Sequence, residues 1–314
     1  MRYRMLGSTK CEVSEIGFGG FAIGGYDYGP TDDGESLATL EKAYDLGVTF
    51  FDTADMYGAG HSERLLGRML KGKNPPGFVA TKVGYVGERG RQHKDFSPAH
   101  LKAAVEQSLK RLQRDVIDLY QLHNPTSDDL ENGAAFATLD ELVVAGKVRF
   151  WGVSVPSRDI AEICRQVMAW PTAASIQLVY NLFHHQDLEG MQGEIQKHGL
   201  GVIARAPLEY GLLTGKFSRT ERFAPGDHRG SRWKPEEFSR QLDQVDVLAE
   251  AFRGKPFTLS QLAIGFALAH PAVSVVICGA KRPAQIEENV ATAGLCGTVL
   301  RESDLHIARR LLTG

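Results

Sequence analysis

The feature that most constrains this chain is an alternation. Eight short apolar runs recur along it: Ile16–Phe18, Val48–Phe51, Phe78–Ala80, Ile117–Leu122, Val148–Val153, Ala174–Val179, Gly201–Ala204 and Val273–Ile277. Most lack the apolar–polar alternation of a half-solvated strand, the pattern of parallel strands covered on both faces. Helical patterns lie between them. Glu35–Leu46, Ser62–Lys71 and Leu130–Ala145 each stop at a glycine (Gly47, Gly72, Gly146), the residue best suited to a helix C-terminus. Ser97-Pro98 ahead of His100–Leu112 reads as an N-cap followed by proline in the first turn. Arg158–Met168, Leu188–His198, Leu259–Ala269 and Pro283–Ala293 complete the set. Eight β-α units joined by right-handed crossovers close into an α/β (β/α)8 TIM barrel with its helices outside. Tyr3–Val13, turning at Gly7-Ser8, is expected as an N-terminal β-hairpin. Extra helices are expected near Pro235–Arg253, after the seventh run, and over Ser303–Leu312 at the C-terminus.

Residues 1–314 suit one such barrel, so the chain reads as a single domain. The net charge of −2 gives no global field that would favour nucleic acid or a membrane surface. Cys11, Cys164, Cys278 and Cys296 form no CxxC or Cys/His metal spacing, so reduced thiols and no metal are expected. The N-terminus lacks an apolar signal region, and no stretch nears the roughly 20 apolar residues of a membrane span. A cytoplasmic protein acting on a small molecule is the expectation.

Active sites of such barrels form at the C-terminal ends of the strands. Three successive strand ends carry chemistry. Val48–Phe51 is followed by Asp52 and, five residues on, Tyr57; Phe78–Ala80 by Thr81-Lys82; Ile117–Leu122 by His123. A carbonyl that accepts a hydride becomes an alkoxide and needs a proton. A phenol of pKa about 10 is a weak acid at neutral pH, and a neighbouring ammonium is expected to lower that value. A carboxylate keeps the ammonium charged, and an imidazole orients and polarises the carbonyl oxygen. Any one of these residues alone reads as a structural or surface group. Their order at consecutive strand ends makes Asp52, Tyr57, Lys82 and His123 the candidate catalytic set.

The segment from Gly47 to Gly58 (GVTFFDTADMYG), followed by Ser62–Gly67 (SERLLG), resembles the aldo-keto reductase superfamily. Further matching blocks are Thr81-Lys82, Ile117–His123, Gly146–Arg149 leading to Gly152–Ser154, and Gln177 with Tyr180-Asn181. Pro207-Leu208 with Gly211–Lys216, and Gly279–Lys281 with Glu288-Asn289, complete the likeness, which spans nearly the whole chain. The resemblance implies a (β/α)8 barrel, NADP(H)-linked reduction of aldehydes or ketones, and a tetrad on Asp52, Tyr57, Lys82 and His123.

No GxGxxG motif follows a strand, so the barrel mouth has to hold the dinucleotide. The resemblance puts Ser154 and Gln177 on the nicotinamide carboxamide, with Asn181 as a neighbour and Tyr210 as a stacking aromatic. The loop Ala206–Lys216 would cross the pyrophosphate through Ala206, Pro207, Leu208, Gly211, Leu213, Gly215 and Lys216. The adenosine end would lie on Gly279, Lys281, Gln285, Glu288 and Asn289. Lys281-Arg282 ahead of Pro283 puts cations at a helix start and favours a 2′-phosphate, hence NADP(H) over NAD(H). Gln285 stands where many relatives carry Arg, which removes one expected phosphate contact. Phe21, Ile23, Tyr26, Tyr85, Asn124 and Trp233 are candidate substrate walls. Three other readings stay open: an aldose dehydrogenase working in the oxidising direction, a non-catalytic NADP(H)-binding regulatory subunit, and a Schiff-base aldolase using Lys82.

Overall fold

A computed structural model of the protein describes residues 1–314 apart from Tyr26, Arg89 and Gly314. The chain opens with a hairpin, β1 (Tyr3–Met5) and β2 (Glu12–Ser14), and enters the barrel at β3 (Ile16–Gly19). Next come α1 (Asp33–Asp45), β4 (Phe50–Asp52), α2 (His61–Leu70) and β5 (Phe78–Val83). A small hairpin, β6 (Tyr85–Val86) and β7 (His93–Lys94), precedes α3 (Pro98–Leu112), β8 (Ile117–His123), α4 (Ser127–Leu130), α5 (Ala134–Val144) and β9 (Val148–Ser154). The chain continues through α6 (Ile160–Met168), β10 (Ser175–Val179), α7 (Gln186–Lys197), β11 (Gly201–Arg205) and α8 (Pro235–Ala251). It ends with α9 (Leu259–Ala269), β12 (Val273–Gly279), α10 (Pro283–Leu295) and α11 (Glu302–Thr313).

Strands β3, β4, β5, β8, β9, β10, β11 and β12 pair in that order, all parallel, and β12 closes on β3. Each is one of the eight apolar runs. The main apolar layer lies between strands and helices, as the unalternating runs require. A second cluster of Leu6, Val13, Phe50, Phe78, Ala80, Leu119, Ile203, Val275 and Ile277 fills the barrel. Leu6 and Val13 come from the N-terminal hairpin, which therefore plugs the lower end. A Cβ on Gly7 would stand 2.3 Å from the Gly201 amide nitrogen, so glycine is what lets this turn reach the barrel floor. Arg4 clamps the hairpin from outside by donating to the carbonyls of Val273 (3.0 Å) and Leu268 (2.9 Å).

Local signals act as their chemistry predicts. Ser97 Oγ accepts from the His100 amide with Pro98 at the first helical position, and Gly47 takes a φ of +85° after α1. One expected helix, Leu130–Ala145, is divided. Gly133 is left-handed (φ +68°), and Asn132 Oδ1 accepts from the Ala134 amide, restarting the helix as α5. The hairpin β6–β7 has no counterpart in the expectations; its strands are two residues each, too short for a periodic signal.

Helix α2 meets the end of α3 so closely that a Cβ on Gly67 would lie 2.6 Å from the Leu112 carbonyl oxygen. Gly67→Ala should therefore lose stability, because overpacking costs about 1–3 kcal/mol and outweighs the gain in helix propensity. Gly193→Ala, on the exposed face of α7 with nothing nearby, should gain roughly 0.5–1 kcal/mol. Urea unfolding of both variants checks the pair; a neutral Gly67→Ala would contradict the packing.

Candidate active site

Parallel register brings the candidate residues to one level at the upper end of the barrel. Asp52 pairs with Gly19 and Ala80 on the flanking strands, Lys82 with Gln121, His123 with Ser154, and Ser154 with Gln177. Inside the mouth, Lys82 is fully buried and Asp52 nearly so. The Lys82 ammonium donates to Asp52 Oδ1 (2.5 Å), to the Thr53 carbonyl (2.9 Å) and to Tyr57 Oη (3.1 Å). All three ammonium hydrogens are thereby used. Gln177 Nε2 donates to Asp52 Oδ2 (2.7 Å), and Ser154 Oγ donates to Gln177 Oε1 (3.2 Å). A single hydrogen-bond chain thus runs Ser154–Gln177–Asp52–Lys82–Tyr57. At its end the phenol oxygen already accepts from Lys82, so its own hydrogen is left for another acceptor.

His123 caps the group from β8. Its ring meets Tyr57 edge-on at 5.8 Å and Tyr85 at 5.1 Å, and Nδ1 has no partner among the described residues. Burial, reinforced by the charge of Lys82, holds its pKa well below the usual imidazole range, so the ring is neutral at neutral pH. Burial likewise pushes Lys82 down, against the opposing pull of Asp52.

The phenol departs from expectation. Burial, with the charge of Asp52 added, pushes the Tyr57 pKa well above the ordinary phenol value; Arg205 opposes this. The expected lowering by the ammonium fails for a physical reason. Lys82 is matched by Asp52 at 2.5 Å, so the phenol faces a neutralised pair in a dry setting rather than a bare cation. Tyr57 therefore carries its proton at neutral pH.

A cleft of about 540 Å³ opens above the tetrad. Phe21, Tyr85, Asn124, Gln177, Ala206, Pro207, Leu208, Tyr210, Gly211, Gly279, Lys281 and Gln285 line it beside Asp52, Tyr57 and His123. Phe21 packs on Tyr57 at 4.8 Å between ring centres, and Asn124 donates to Tyr85 Oη (3.3 Å). Tyr26 lies outside the described residues. Other candidates sit elsewhere. Leu213 is buried in the main apolar layer, and Gly215 and Lys216 are exposed and outside the cleft lining. Ile23 belongs to the main apolar layer, and Trp233 packs on Phe223 and Phe238. Asn181 holds the loop after β11, donating to the Ala206 carbonyl (2.9 Å) and to Glu209 (2.8 Å). Gln285 Oε1 accepts from the Lys281 (2.8 Å) and Arg282 (3.2 Å) amides, capping α10. Glu288 accepts from Thr258, while Asn289 is buried with its amide nitrogen unpartnered among the described residues.

Several cleft residues have no counterpart among the sequence candidates: Tyr28, Arg205, His228, Arg229 and Arg232. His228 bridges two loops, its amide donating to the Asp27 carbonyl (2.9 Å) and its ring meeting Tyr28 at 4.6 Å and Tyr210 at 5.4 Å. These residues come from long aperiodic segments. Arg205 is different: it directly follows the run Gly201–Ala204, so the strand-end rule that found Lys82 and His123 could have found it too.

The family model described as "Aldo/keto reductase family" matches residues 15–304. The chain belongs to the aldo/keto reductase family. It is 34% identical over 312 residues to Aldo-keto reductase YhdN of Bacillus subtilis (strain 168), covering 97% of this chain and 91% of that one. It is 33% identical to Aldo-keto reductase yakc of Schizosaccharomyces pombe, whose name carries NADP(+), covering 88% of this chain and 83% of that one. Among solved structures, the glycerol dehydrogenase AKR11B4 from Gluconobacter oxydans superposes with a TM-score of 0.83 at 30% identity, covering 99% of this chain and 94% of that one. Members of the family are in general oxidoreductases that use nicotinamide cofactors. No helix among the described residues is long and apolar enough to cross a membrane.

Another acid, the half-buried Asp55, stands beside the tetrad, its amide donating to the Lys82 carbonyl (3.3 Å). Asp55 is pushed up to about 7, first by burial and then by the charge of Glu63, against Arg111 and Lys82. A carboxyl whose folded pKa is raised disfavours the folded state as it ionises, so its cost grows as pH rises from about 4 towards 7. Asp55→Asn should flatten that part of the stability profile, measured by urea unfolding across the range. A wild-type profile that rises there, unchanged in the variant, would contradict the assignment.

Proposed function

We propose that this protein reduces aldehydes or ketones to alcohols with NADPH, and that Tyr57 supplies the proton. The observation that supports this most is the buried chain Ser154–Gln177–Asp52–Lys82–Tyr57, which ends in a phenol hydrogen beside an open cleft. A reduced nicotinamide, when bound, supplies the hydride. The residues then have distinct tasks. Neutral His123 offers an N–H to the carbonyl oxygen. Tyr57 gives its proton to the alkoxide, a far stronger base than a phenolate even in this site. As that proton leaves, negative charge grows on Tyr57 Oη, 3.1 Å from the Lys82 ammonium, where the cation stabilises it. Asp52 holds the cation in place with both oxygens occupied.

The residues suit the dinucleotide. Gly211 (φ +102°) and Gly279 leave the cleft walls low enough for a close-lying chain of phosphates. Among the described residues, Lys281 Nζ has only the neutral carbonyls of Tyr28 (2.9 Å) and Pro30 (3.0 Å) as hydrogen-bond partners, which leaves its charge available for a 2′-phosphate at the start of α10. Asn289 brings an unpartnered buried amide to the same helix. The name of yakc accords with NADP(H). In the oxidising direction, suggested by the glycerol dehydrogenase likeness, Tyr57 has to act as a phenolate base, and its raised pKa works against that at neutral pH.

Tyr57→Phe should remove nearly all NADPH consumption with a panel of aldehydes, a loss of about 10²–10⁴-fold, while NADPH binding followed by fluorescence stays near wild type. A retained rate would refute the donor. Alcohol oxidation with NADP+ should climb about tenfold per pH unit towards pH ~10, while reduction stays flat across neutral pH; an oxidation rate already level at neutral pH would contradict a raised Tyr57 pKa. Lys281→Ala should weaken NADPH much more than NADH in direct titrations, and an equal loss for both would take Lys281 away from the phosphate.

A further inference from the structure

A second polar layer lies inside the barrel, below the cleft. On β8, Leu119 belongs to the interior cluster and Tyr120 to the outer layer, so Gln121 and His123 both point inward. On β10, Ile176 belongs to the outer layer, so Ser175 and Gln177 point inward as well. Register sets these residues in two rows across β8, β9 and β10. The upper row is His123, Ser154 and Gln177; the lower row, one inward position beneath it, is Gln121, Gly152 and Ser175. On β5, Lys82 is the register neighbour of Gln121.

Ser154 and Gln177 of the upper row are hydrogen-bonded into the tetrad. The lower row is different. Gln121 and Ser175 are fully buried, and neither lines the cleft. Gln121 Oε1, Gln121 Nε2 and Ser175 Oγ have no partner among the described residues, and nor has His123 Nδ1, on the next inward residue of β8. Lys82 cannot serve them, because its three hydrogens go to Asp52, Thr53 and Tyr57. Gly152 separates the two orphaned side chains. A Cβ there would lie 2.2 Å from Ser175 Oγ, so glycine is what lets that hydroxyl lean over β9 towards β8. Native interiors pair their buried polar atoms, and a cluster without protein partners is answered by internal water making about three hydrogen bonds. The four atoms complement one another. Gln121 and Ser175 bring N–H and O–H donors, and His123 Nδ1 brings a lone pair when the ring proton sits on Nε2. Nε2 is the nitrogen that faces the cleft, since His123 lines it and Nδ1 is the one closed off.

We propose that Gln121 and Ser175 hold internal water beneath the tetrad, and that this water donates to His123 Nδ1 and so keeps the ring proton on Nε2, facing the cleft. Gln121 Nε2 and Ser175 Oγ donate to the water; Gln121 Oε1 and His123 Nδ1 accept from it. Gln121 is thus a positioning residue that acts through His123 and touches no substrate. Its effect on rate rests on the carbonyl-reducing reading, in which His123 offers an N–H to the carbonyl oxygen; the water site itself does not. No covalent bond forms or breaks.

Nitrogen-15 NMR of the full chain, labelled at histidine and assigned by the loss of signal in His123→Asn, reads the tautomer at neutral pH. Wild-type His123 should show a bare Nδ1 and a protonated Nε2. In Gln121→Met and in Ser175→Ala the Nδ1 signal should move towards the protonated position as the two tautomers mix. With aldehydes and NADPH, kcat should fall about five- to tenfold in each variant while NADPH binding stays at the wild-type level. The double variant should lose little more than either single one, because both act on the same water. Ser175→Ala, the smaller change, carries the test if Gln121→Met does not fold. A protonated Nδ1 in the wild type overturns the proposal. So does a tautomer that neither variant moves, or an unmoved kcat in a protein that reduces aldehydes. A wild-type crystal structure with no water between Gln121 and Ser175 would overturn it as well. A tautomer that shifts as stated, in a protein that reduces no carbonyl, would keep the water site and sink the carbonyl-reducing reading.

Discussion

The buried pair of Lys82 and Asp52 is the constraint around which the upper barrel is organised. Taking either charge out of water alone costs several kcal/mol, and their attraction offsets this only with good geometry and every remaining donor and acceptor satisfied. Both conditions hold. Lys82 spends its three hydrogens on Asp52, the Thr53 carbonyl and Tyr57, and Asp52 has both oxygens occupied through Lys82 and Gln177. Removing either partner would leave a charge in a dry core. The pair thereby dictates where Tyr57, Gln177 and Ser154 stand, and it sets the phenol's protonation: a matched cation leaves the proton on the oxygen until a stronger base arrives.

The barrel supplies this constraint by separating its two ends. Below, apolar side chains and the N-terminal hairpin fill the interior, with Leu6 and Val13 acting as a plug. Above, the same inward-facing positions carry Asp52, Lys82, Gln177 and Arg205 in place of aliphatic residues. Parallel pairing makes the change of character occur at one height on adjacent strands, because His123, Ser154 and Gln177 are register partners in sequence. The polar layer stands on a packed floor, so its distances are set by strand geometry rather than by loops. The loops above, with Tyr28, Tyr210 and His228 in edge-on contact, shape the cleft without taking part in that network.

The legible part of this fold was whatever has a period or a local motif. Eight apolar runs became eight strands, and Ser97-Pro98 and Gly47 ended or began helices where their backbone preferences require. The tetrad was legible because each member follows an apolar run. Three things were not. The split between α4 and α5 depends on one left-handed glycine, which a helical periodicity hides. The raised pKa of Tyr57 comes first from burial and then from the charge of Asp52, and how deeply a side chain is buried is not written in its place along the chain. The cleft residues His228, Arg229 and Arg232 come from a long segment without period, where only tertiary contacts decide which side chains return to the barrel. Leu213 and Lys216 show the converse: they belong to a block that resembles the family, yet one is core and the other is exposed and outside the cleft lining.

What the account requires above all is that the Tyr57 hydroxyl stays protonated beside its lysine. Carbon-13 labelling of tyrosine Cζ, with the Tyr57 resonance assigned by its loss in the phenylalanine variant, follows that ionisation directly by NMR. The account predicts a signal that remains in the protonated position beyond the ordinary phenol range, past pH ~10. A Tyr57 signal already in the phenolate position at neutral pH would contradict it.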